Sequence, residues 1–486
     1  MNYLLLTLSL LLLHSSNAFS TESNDDKKVA IVSYMSWHLP FGTLNGCNLW
    51  KKNGILYRNF KESTYHNYPV NKLNDVVTNL DPISFANSPV GKGAIEAELE
   101  EIKQAGFDVV AYDMLPDPKP RWPTLNSPAY CNLALFDLFG ELGIKKGLKL
   151  TLLSDIKNLS GDYPNAYQFN ESEWTQAYST IISRYSNKDW YWKLNGIPTV
   201  FQFGASTGAI KGKKGGEAIV SWLDLISNLN KESEKIKVFL DVRPREYEAN
   251  ADGFKKAGAI PFLFAPGAPY NFINNFMADL RAENDYLIWP ANVNYTNKKI
   301  QVHLPPDFAR IDSLYSSAIS NNSKAIMFNT WNDFGEDTDA APSKDKSMSM
   351  LALLKYYNSW FKTGKKPITN VSQIIIVLPK YRFARTNSRA PKWGGGANEG
   401  EDGNPGHIAY YWSNLKVNGW IKVGDSKINL SNGVNFGKTV INQSDVVRVD
   451  SFIGGAANIN IQSFELESDR PNTPGRNYQY ILITEK

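Results

Sequence analysis

The sequence has little of several residue types and patterns on which common protein chemistries depend. Only two cysteines, Cys47 and Cys131, and five histidines occur among 486 residues. No H-E-x-x-H motif or close pair of histidines is present, so a zinc centre is not expected. The acidic run 333–339 lacks the residue order of a calcium loop. Because no G-x-S-x-G elbow and no nucleotide-binding glycine loop occur either, we expect no metal, no cofactor and no serine hydrolase chemistry.

Charge and hydropathy exclude further classes of partner. The formal net charge is only +4 and no run of Lys or Arg dominates, so nucleic acid is not an expected partner. Residues 3–13 form an apolar run too short to span a bilayer, and a plausible cleavage point follows Ala18. Residues 1–18 therefore predict a secretory signal peptide without the usual Lys or Arg, with a retained anchor as the alternative. Export would permit a disulfide between the two cysteines.

No later segment approaches 18 consecutive apolar residues, so the mature chain is expected to have no membrane-spanning segment and to be secreted, extracellular or periplasmic. We also expect it to be monomeric.

Apolar runs alternate with segments of helical period between residues 29 and 366. The predicted strands are 29–37, 107–115, 148–156, 198–203, 237–244, 260–267, 286–293 and 324–329. The predicted helices are 94–105, 133–146, 173–185, 217–229, a segment around Phe254, 270–282, 307–319 and 348–361. This pattern predicts a (β/α)8 barrel of the TIM type. A doubly wound open sheet is the competing architecture, and the absence of a glycine-rich phosphate loop disfavours it.

Two regions lie outside this alternation. The polar excursion 38–90 follows the first strand, and loops of this length are usually functional or contain small elements of their own. Residues 368–486 change to alternating β runs, which predict a separate, sandwich-like all-β domain at the C-terminus. Aromatic residues in it either fill its core or stack on sugar rings. These residues are Trp393, Tyr410, Tyr411, Trp412 and Trp420.

The densest polar cluster follows the eighth predicted strand. The segment 324–342 reads KAIMFNTWNDFGEDTDAAP, in which an apolar run gives way at once to Asn, Trp, Asp and Glu residues. Barrel strands deliver catalytic side chains at their carboxyl ends. A surface loop whose Asn, Asp and Gly residues only form turns is the alternative interpretation.

Polar residues also end the other predicted strands and are expected at the same mouth of the barrel. The candidates for substrate binding are Asp113, Asp155, Gln202, Asp241, Arg243 and Asn292, with the aromatic residues Tyr34, Trp37, Tyr112, Phe203, Trp289 and Trp331 beside them. Converging carboxylates suit glycoside hydrolysis, because a protonated carboxyl must protonate the departing oxygen while an ionised one activates water or attacks the anomeric carbon. A single Asp could instead cap a helix or pair with an arginine.

Several stretches of the barrel region resemble glycoside hydrolase family 71, the α-1,3-glucanases, and less closely family 99, the endo-α-mannosidases. They are VSYMSW at 32–37, IEAELEEIKQAGFDVVAYDML at 95–115, KLTLLSD at 149–155, NGIPTVFQFG at 195–204 and TWNDFGEDT at 330–338. The last stretch matches the signature W-N-[DE]-x-x-E. The resemblance covers about residues 29–366 and leaves out the long first loop and the C-terminal β domain.

The resemblance implies a catalytic pair at Asp333 and Glu336 and inverting hydrolysis of internal α-1,3-glucosidic bonds. We assign Glu336 as the acid and Asp333 as the base. Trp331 and Asn332 are then expected in the substrate site, with Trp331 as a sugar platform or wall. The family pattern continues with Ser and His after the Glu, whereas this chain has Asp337 and Thr338, so the neighbouring subsite is expected to differ.

The hypothesis is therefore a secreted glycoside hydrolase that acts on an α-linked polysaccharide. An endo-α-mannosidase-like hydrolase and a non-catalytic carbohydrate-binding surface protein are the alternatives. Asp337 and Asp339 are expected to be solvated loop residues.

Overall fold

The structure is a computed structural model. It describes residues 27–36, 38–39, 42–45, 48–50, 82–114, 128–155, 169–207, 210–231, 235–264, 266–297, 302–333, 336–343, 345–379, 408–441, 446–454, 460–465 and 478–485. The predicted signal peptide and Cys47 lie outside these residues, as does the side chain of Cys131.

Strands and helices are numbered along the described chain. The strands are β1 Val29–Met35, β2 His38–Leu39, β3 Gly42–Asn45, β4 Asn48–Trp50, β5 Val109–Asp113, β6 Lys149–Asp155, β7 Lys193–Leu194, β8 Ile197–Phe203, β9 Lys237–Asp241, β10 Ile260–Phe262, β11 Ile288–Ala291, β12 Tyr295–Asn297, β13 Val302–Leu304, β14 Ala325–Phe328, β15 Gln373–Pro379, β16 Ile408–Leu415, β17 Gly419–Val423, β18 Ser426–Leu430, β19 Gly433–Val440, β20 Val446–Ile453, β21 Asn460–Glu465 and β22 Tyr478–Thr484. The helices are α1 Pro82–Asn87, α2 Pro89–Gln104, α3 Pro128–Lys145, α4 Glu171–Tyr185, α5 Gly215–Lys231, α6 Pro244–Glu248, α7 Ala251–Ala257, α8 Tyr270–Glu283, α9 Phe308–Ser320 and α10 Ser349–Thr363. None of these helices is long and apolar enough to span a bilayer.

Eight parallel strands form a nearly closed barrel, which confirms the predicted fold class. Their hydrogen-bonded order is β10-β9-β8-β6-β5-β1-β14-β11, and every predicted strand corresponds to one of them. β10 and β11, at the two ends of this order, form no ladder with each other in the part of the chain that is described. The alternating helices cover the outside, as short apolar strands that are buried on both faces require.

Side chains that point into the barrel fill it with apolar volume. They include Ile31, Phe201, Phe239, Phe262 and Met327. The rings of Phe201 and Phe239 stack with centroids 4.7 Å apart. The interior is therefore a packed core, and a ligand can be accommodated only above it, at the carboxyl ends of the strands.

Two antiparallel sheets follow the barrel, as the sequence predicted. Their orders are β19-β16-β15-β22 and β18-β17-β20-β21, and they enclose an apolar core between them. The first sheet is buried on both faces: Ile374 and Ile376 face that core, whereas Ile375 and Val377 pack with the apolar layer between the strands and helices of the barrel. Because both faces of β15 are buried, its sequence is a near-continuous apolar run.

The aromatic residues of the C-terminal sheets divide between packing and partial exposure. Tyr410 and Trp412 are buried against the barrel. The ring centroids of Trp412 and Tyr356 of α10 are 5.6 Å apart. Tyr411 and Trp420 are half-buried. Trp393 lies outside the described residues.

Candidate functional site

The loop after β14 is fastened across the carboxyl ends of the neighbouring strands. The backbone N–H of Asn329 donates to Ala291 at the end of β11, at 2.9 Å, and that of Trp331 donates to Ser33 of β1, at 2.7 Å. The side-chain amide of Asn332 accepts from the N–H of Met35 at 2.7 Å and donates to its carbonyl at 3.1 Å. Asn332 is fully buried, so it fixes this loop rather than offering its amide to a ligand.

Asp333 and Glu336 follow directly from this anchored stretch. Both side chains are half-buried and so reach the surface at the mouth of the barrel. The Asp333 carboxylate accepts the backbone N–H of Glu336 at 3.2 Å, and the Asp333 N–H donates to the Thr330 hydroxyl at 2.9 Å. The Tyr295 hydroxyl donates to the Glu336 carboxylate at 3.3 Å. The two carboxyls therefore lie in one hydrogen-bonded turn.

The prediction that Asp337 and Asp339 are solvated is wrong. Both are buried, and each lies beside the buried ammonium of Lys346, with Nζ to Oδ1 distances of 3.3 and 3.0 Å. A buried carboxylate is tolerated only where a cation or hydrogen bonds compensate for the lost hydration. The four acids of the loop thus split into two that are accessible and two that are enclosed.

Trp331 does not form a sugar platform in this structure, because its ring is fully buried. Its indole N–H donates to the carboxylate of Glu98 at 3.1 Å, and the hydroxyl of Tyr34 donates to the other Glu98 oxygen at 2.7 Å. Tyr34 and Tyr112 are fully buried and stack with ring centroids 5.4 Å apart. Both tyrosines belong to the layer between strands and helices.

Burial raises the pKa of Glu98 from 4.5 to about 7, while the two hydrogen bonds, which favour the charged form, oppose that rise. Glu101, one turn further along α2, has a pKa raised to about 8 by burial and by the negative charge of Glu98. A carboxyl that titrates near neutrality therefore lies directly beneath the loop that bears Asp333.

Two other predicted ligand contacts also point away from the mouth. Gln202 lies between the inward-facing Phe201 and Phe203, so its side chain points to the helices, where it accepts from the Tyr178 hydroxyl at 2.6 Å. Trp289 is fully buried and its indole N–H donates to Asn274 of α8 at 3.2 Å.

Asn292 is enclosed as well. Its side-chain oxygen accepts from the buried guanidinium of Arg310 at 2.9 and 3.0 Å, and its amide N–H donates to the carbonyl of Pro266 at 2.8 Å. This side chain holds the end of β11 to α9 and offers no surface to a ligand.

Asp113 and Asp241 end β5 and β9 on the side that faces the barrel interior, so they lie at the mouth. Asp113 is buried at the end of β5, on the same side as Val109 and Ala111 of the barrel interior. Asp241 is half-buried and accepts two backbone N–H groups, from Gly204 at 3.1 Å and from Phe264 at 3.0 Å. Burial raises the pKa of Asp241 to about 6, although these two hydrogen bonds oppose the rise.

The aromatic wall beside Asp241 consists of Phe203 and Phe264. Their rings meet edge to face at 4.8 Å, and both are only partly buried. Arg243 is exposed two residues further along, where its backbone N–H donates to Glu246 and begins α6. Trp37 and the side chain of Asp155 lie outside the described residues. No group of three His, Cys, Asp or Glu side chains that could hold a metal ion occurs in the described part.

Several residues that build the site were missed by the sequence analysis. Glu98 had a readable signal, because it falls on the apolar face of α2, between Ile95 and Ile102. Lys346 and Tyr295 had none: Lys346 lies in a polar loop and Tyr295 begins the short strand β12, and both reach the mouth only through tertiary folding.

Comparisons with known proteins give similar structures but no family. No protein-family model matches the sequence, and no curated protein matches it. A family 99 endo-α-mannosidase from Bacteroides thetaiotaomicron is similar in structure with a TM-score of 0.46 and 13% identity, over 69% of this chain and 97% of that one. An exo-β-1,4-mannosidase from Opitutaceae bacterium strain TAV5 has a TM-score of 0.39 and 9% identity, over 70% and 61%. A family 39 glycoside hydrolase from Bacteroides cellulosilyticus WH2 has a TM-score of 0.37 and 11% identity, over 80% and 78%.

These structural relatives are glycoside hydrolases with distant similarity to this chain, and the likeness concerns the fold alone. The comparisons give no support to the resemblance to family 71.

The raised pKa of Glu98 predicts a loss of stability as the pH increases. The folded state keeps the Glu98 proton up to about pH 7, whereas the unfolded chain releases it near its ordinary pKa of 4.5. The stabilisation is therefore complete below about pH 4.5 and is lost as the pH rises through about 7, by at most roughly 3 kcal/mol. Urea unfolding between these limits should show this fall in wild type and a smaller fall in Glu98→Gln.

Glu96→Gln is the matched control, because Glu96 is only partly buried on the same helix. A wild-type pH dependence that Glu98→Gln and Glu96→Gln leave equally unchanged would contradict the assignment to Glu98.

Proposed function

We propose that this protein is a glycoside hydrolase that cleaves α-glycosidic bonds of a polysaccharide, with an α-1,3-glucan as the leading substrate. One observation carries the proposal: of the four acids that follow β14, Asp333 and Glu336 remain accessible at the mouth of a TIM-type barrel while Asp337 and Asp339 are enclosed with Lys346. Acid–base hydrolysis of a glycoside needs two accessible carboxyls, one to protonate the departing oxygen and one to activate water, and this turn supplies such a pair.

In this mechanism Glu336 protonates the departing glycosidic oxygen and Asp333 activates the water that attacks the anomeric carbon. The hydrogen bond that Asp333 accepts supports its part in that division of roles. Asp333 accepts a backbone N–H, which stabilises a carboxylate, as a general base requires. The Tyr295 hydroxyl orients the Glu336 carboxyl through its contact with Oε1.

The remaining mouth residues are suited to holding sugar hydroxyls and ring faces. Asp241 supplies an acceptor for a hydroxyl group, and the partly exposed rings of Phe203 and Phe264 supply apolar surface for a pyranose. These three residues take over the binding role that was expected of Tyr34, Tyr112, Trp289 and Trp331.

The test is hydrolysis of α-1,3-glucan, α-mannan and starch, measured as newly formed reducing ends. Asp333→Asn and Glu336→Gln should each lower kcat by about a hundredfold to ten-thousandfold, because each removes one proton-transfer group. Glu141→Gln, at an exposed position of α3, should leave kcat unchanged. No release by wild type from any of the three glycans, or undiminished release by both variants, would overturn the proposal, and glycan binding without hydrolysis would favour a carbohydrate-binding protein.

The inverting course predicts the configuration of the first product. Direct attack by water on an α-linked residue gives the β-anomer, which later mutarotates. Proton NMR within the first minutes of hydrolysis should therefore show the β-anomeric signal before the α signal. An initial α-anomer would instead require a retaining mechanism.

A further inference from the structure

Lys346 binds the backbone of the turn that follows Glu336. Its ammonium has three N–H donors, and they reach the carbonyl of Asp337 at 2.9 Å, the carbonyl of Asp339 at 2.8 Å and a carboxylate oxygen of Asp339 at 3.0 Å. A carboxylate oxygen of Asp337 lies 3.3 Å away. Four oxygens of Asp337 and Asp339 thus surround one buried cation. The ammonium therefore links the backbone and the side chains of the same turn.

The turn needs such an external constraint. Asp337 has a φ of +58°, in the left-handed region that residues other than glycine seldom adopt. Its carbonyl also accepts the side-chain N–H of Asn294 at 2.6 Å. Tyr295, the next residue after Asn294, donates to Glu336, the residue before Asp337. Residues 294–295 on one side and the ammonium of Lys346 on the other therefore both hold residues 336–337.

The C-terminal sheet completes the enclosure of this cation. Tyr480 of β22 is buried with its ring centroid 5.6 Å from Lys346 Nζ, within the range of a cation–π contact. The Tyr480 backbone N–H donates to the carbonyl of Asp345 at 2.6 Å, one residue from the lysine. Burial, followed by the negative charges of Asp337 and Asp339, raises the pKa of the Tyr480 hydroxyl far above its ordinary value.

We propose that Lys346 is a positioning residue for Glu336, and that Tyr480 completes its site, so that the last strand of the C-terminal domain holds the turn that bears the proposed acid. The consequence for catalysis rests on the proposed function, whereas the consequence for the order of the turn does not. The C-terminal domain is then part of the framework of the active site in addition to any binding of polysaccharide.

Substitutions of Tyr480 in the full-length chain separate the ring from the hydroxyl. Tyr480→Phe should behave as wild type, because the hydroxyl has no hydrogen-bond partner among the described residues and the ring remains. Tyr480→Leu removes the ring that covers the cation. Amides in 336–341 should then exchange about tenfold faster with deuterium, and kcat on α-1,3-glucan should fall about tenfold with little change in KM.

Ile483→Ala is the matched control. Ile483 is buried on the same strand but faces the core between the two C-terminal sheets, so its truncation weakens the domain without contact to Lys346. Peptide 197–203, in β8 on the far side of the barrel, should exchange at the wild-type rate in all variants. Equal exchange of 336–341 in Tyr480→Leu and Ile483→Ala would overturn the proposal.

Lys346→Ala tests the cation itself. Propylammonium, which replaces the deleted part of the side chain and its charge, should reverse most of the loss of kcat and of exchange protection at 336–341. Tetramethylammonium at the same ionic strength has no N–H donors and should not. Equal effects of the two ions would contradict the proposal, and if Lys346→Ala does not fold, the Tyr480 series decides alone.

The two proposals fail in different ways. If wild type hydrolyses no glycan, the glycosidase function is refuted while the exchange measurements still decide whether Tyr480 and Lys346 order the turn. If wild type hydrolyses glycan and Tyr480→Leu changes neither exchange nor kcat beyond Ile483→Ala, only the positioning role is refuted.

Discussion

The buried contact of Lys346 with Asp337 and Asp339 is the interaction on which the mouth of the barrel depends. An isolated charge in such a place is strongly unfavourable, and removal of one partner of a buried pair typically costs about 3–5 kcal/mol. The cluster is therefore stable only as a unit, and as a unit it fixes the backbone immediately after Glu336. It also separates two enclosed acids from two accessible ones, since the carboxyls that neutralise Lys346 are buried with it.

A second constraint comes from the alternation of side chains along the barrel strands. Successive side chains of a strand point to opposite faces, so a residue next to an inward-facing one points to the helices. This applies to Tyr34, Tyr112, Gln202 and Trp289. There they build a buried hydrogen-bonded layer that supports the mouth from outside. Glu98 illustrates the result: through its bond from the indole at position 331 it supports the acidic loop, although it lies on a helix and never reaches the mouth.

The fold could be predicted from the sequence because its signals are local. Each barrel strand is a short apolar run and each helix has its own period, so the order of elements follows from counting, and the acidic loop falls at the mouth. The division of that loop into accessible and enclosed acids could not be predicted, because it depends on Lys346 and on Tyr480, which lies more than a hundred residues further along the chain. The direction of the side chains was also not predicted, because a shift of one position along a strand turns a side chain from the mouth of the barrel to the layer of helices. Asp241 lies two positions after the inward-facing Phe239, so it points to the same side and reaches the mouth. Gln202 lies one position after the inward-facing Phe201, so it points to the helices.

The accessible pair of acids is proposed to do the chemistry and the enclosed pair to hold it in place. A crystal structure of Glu336→Gln with a bound α-1,3-glucan oligosaccharide tests this most directly. We expect a glycosidic oxygen within hydrogen-bond distance of the substituted side chain, at about 3 Å, a water beside Asp333, and Asp337 and Asp339 still in contact with Lys346. An oligosaccharide bound away from Asp333, or one that contacts Asp337 or Asp339 directly, would contradict the account.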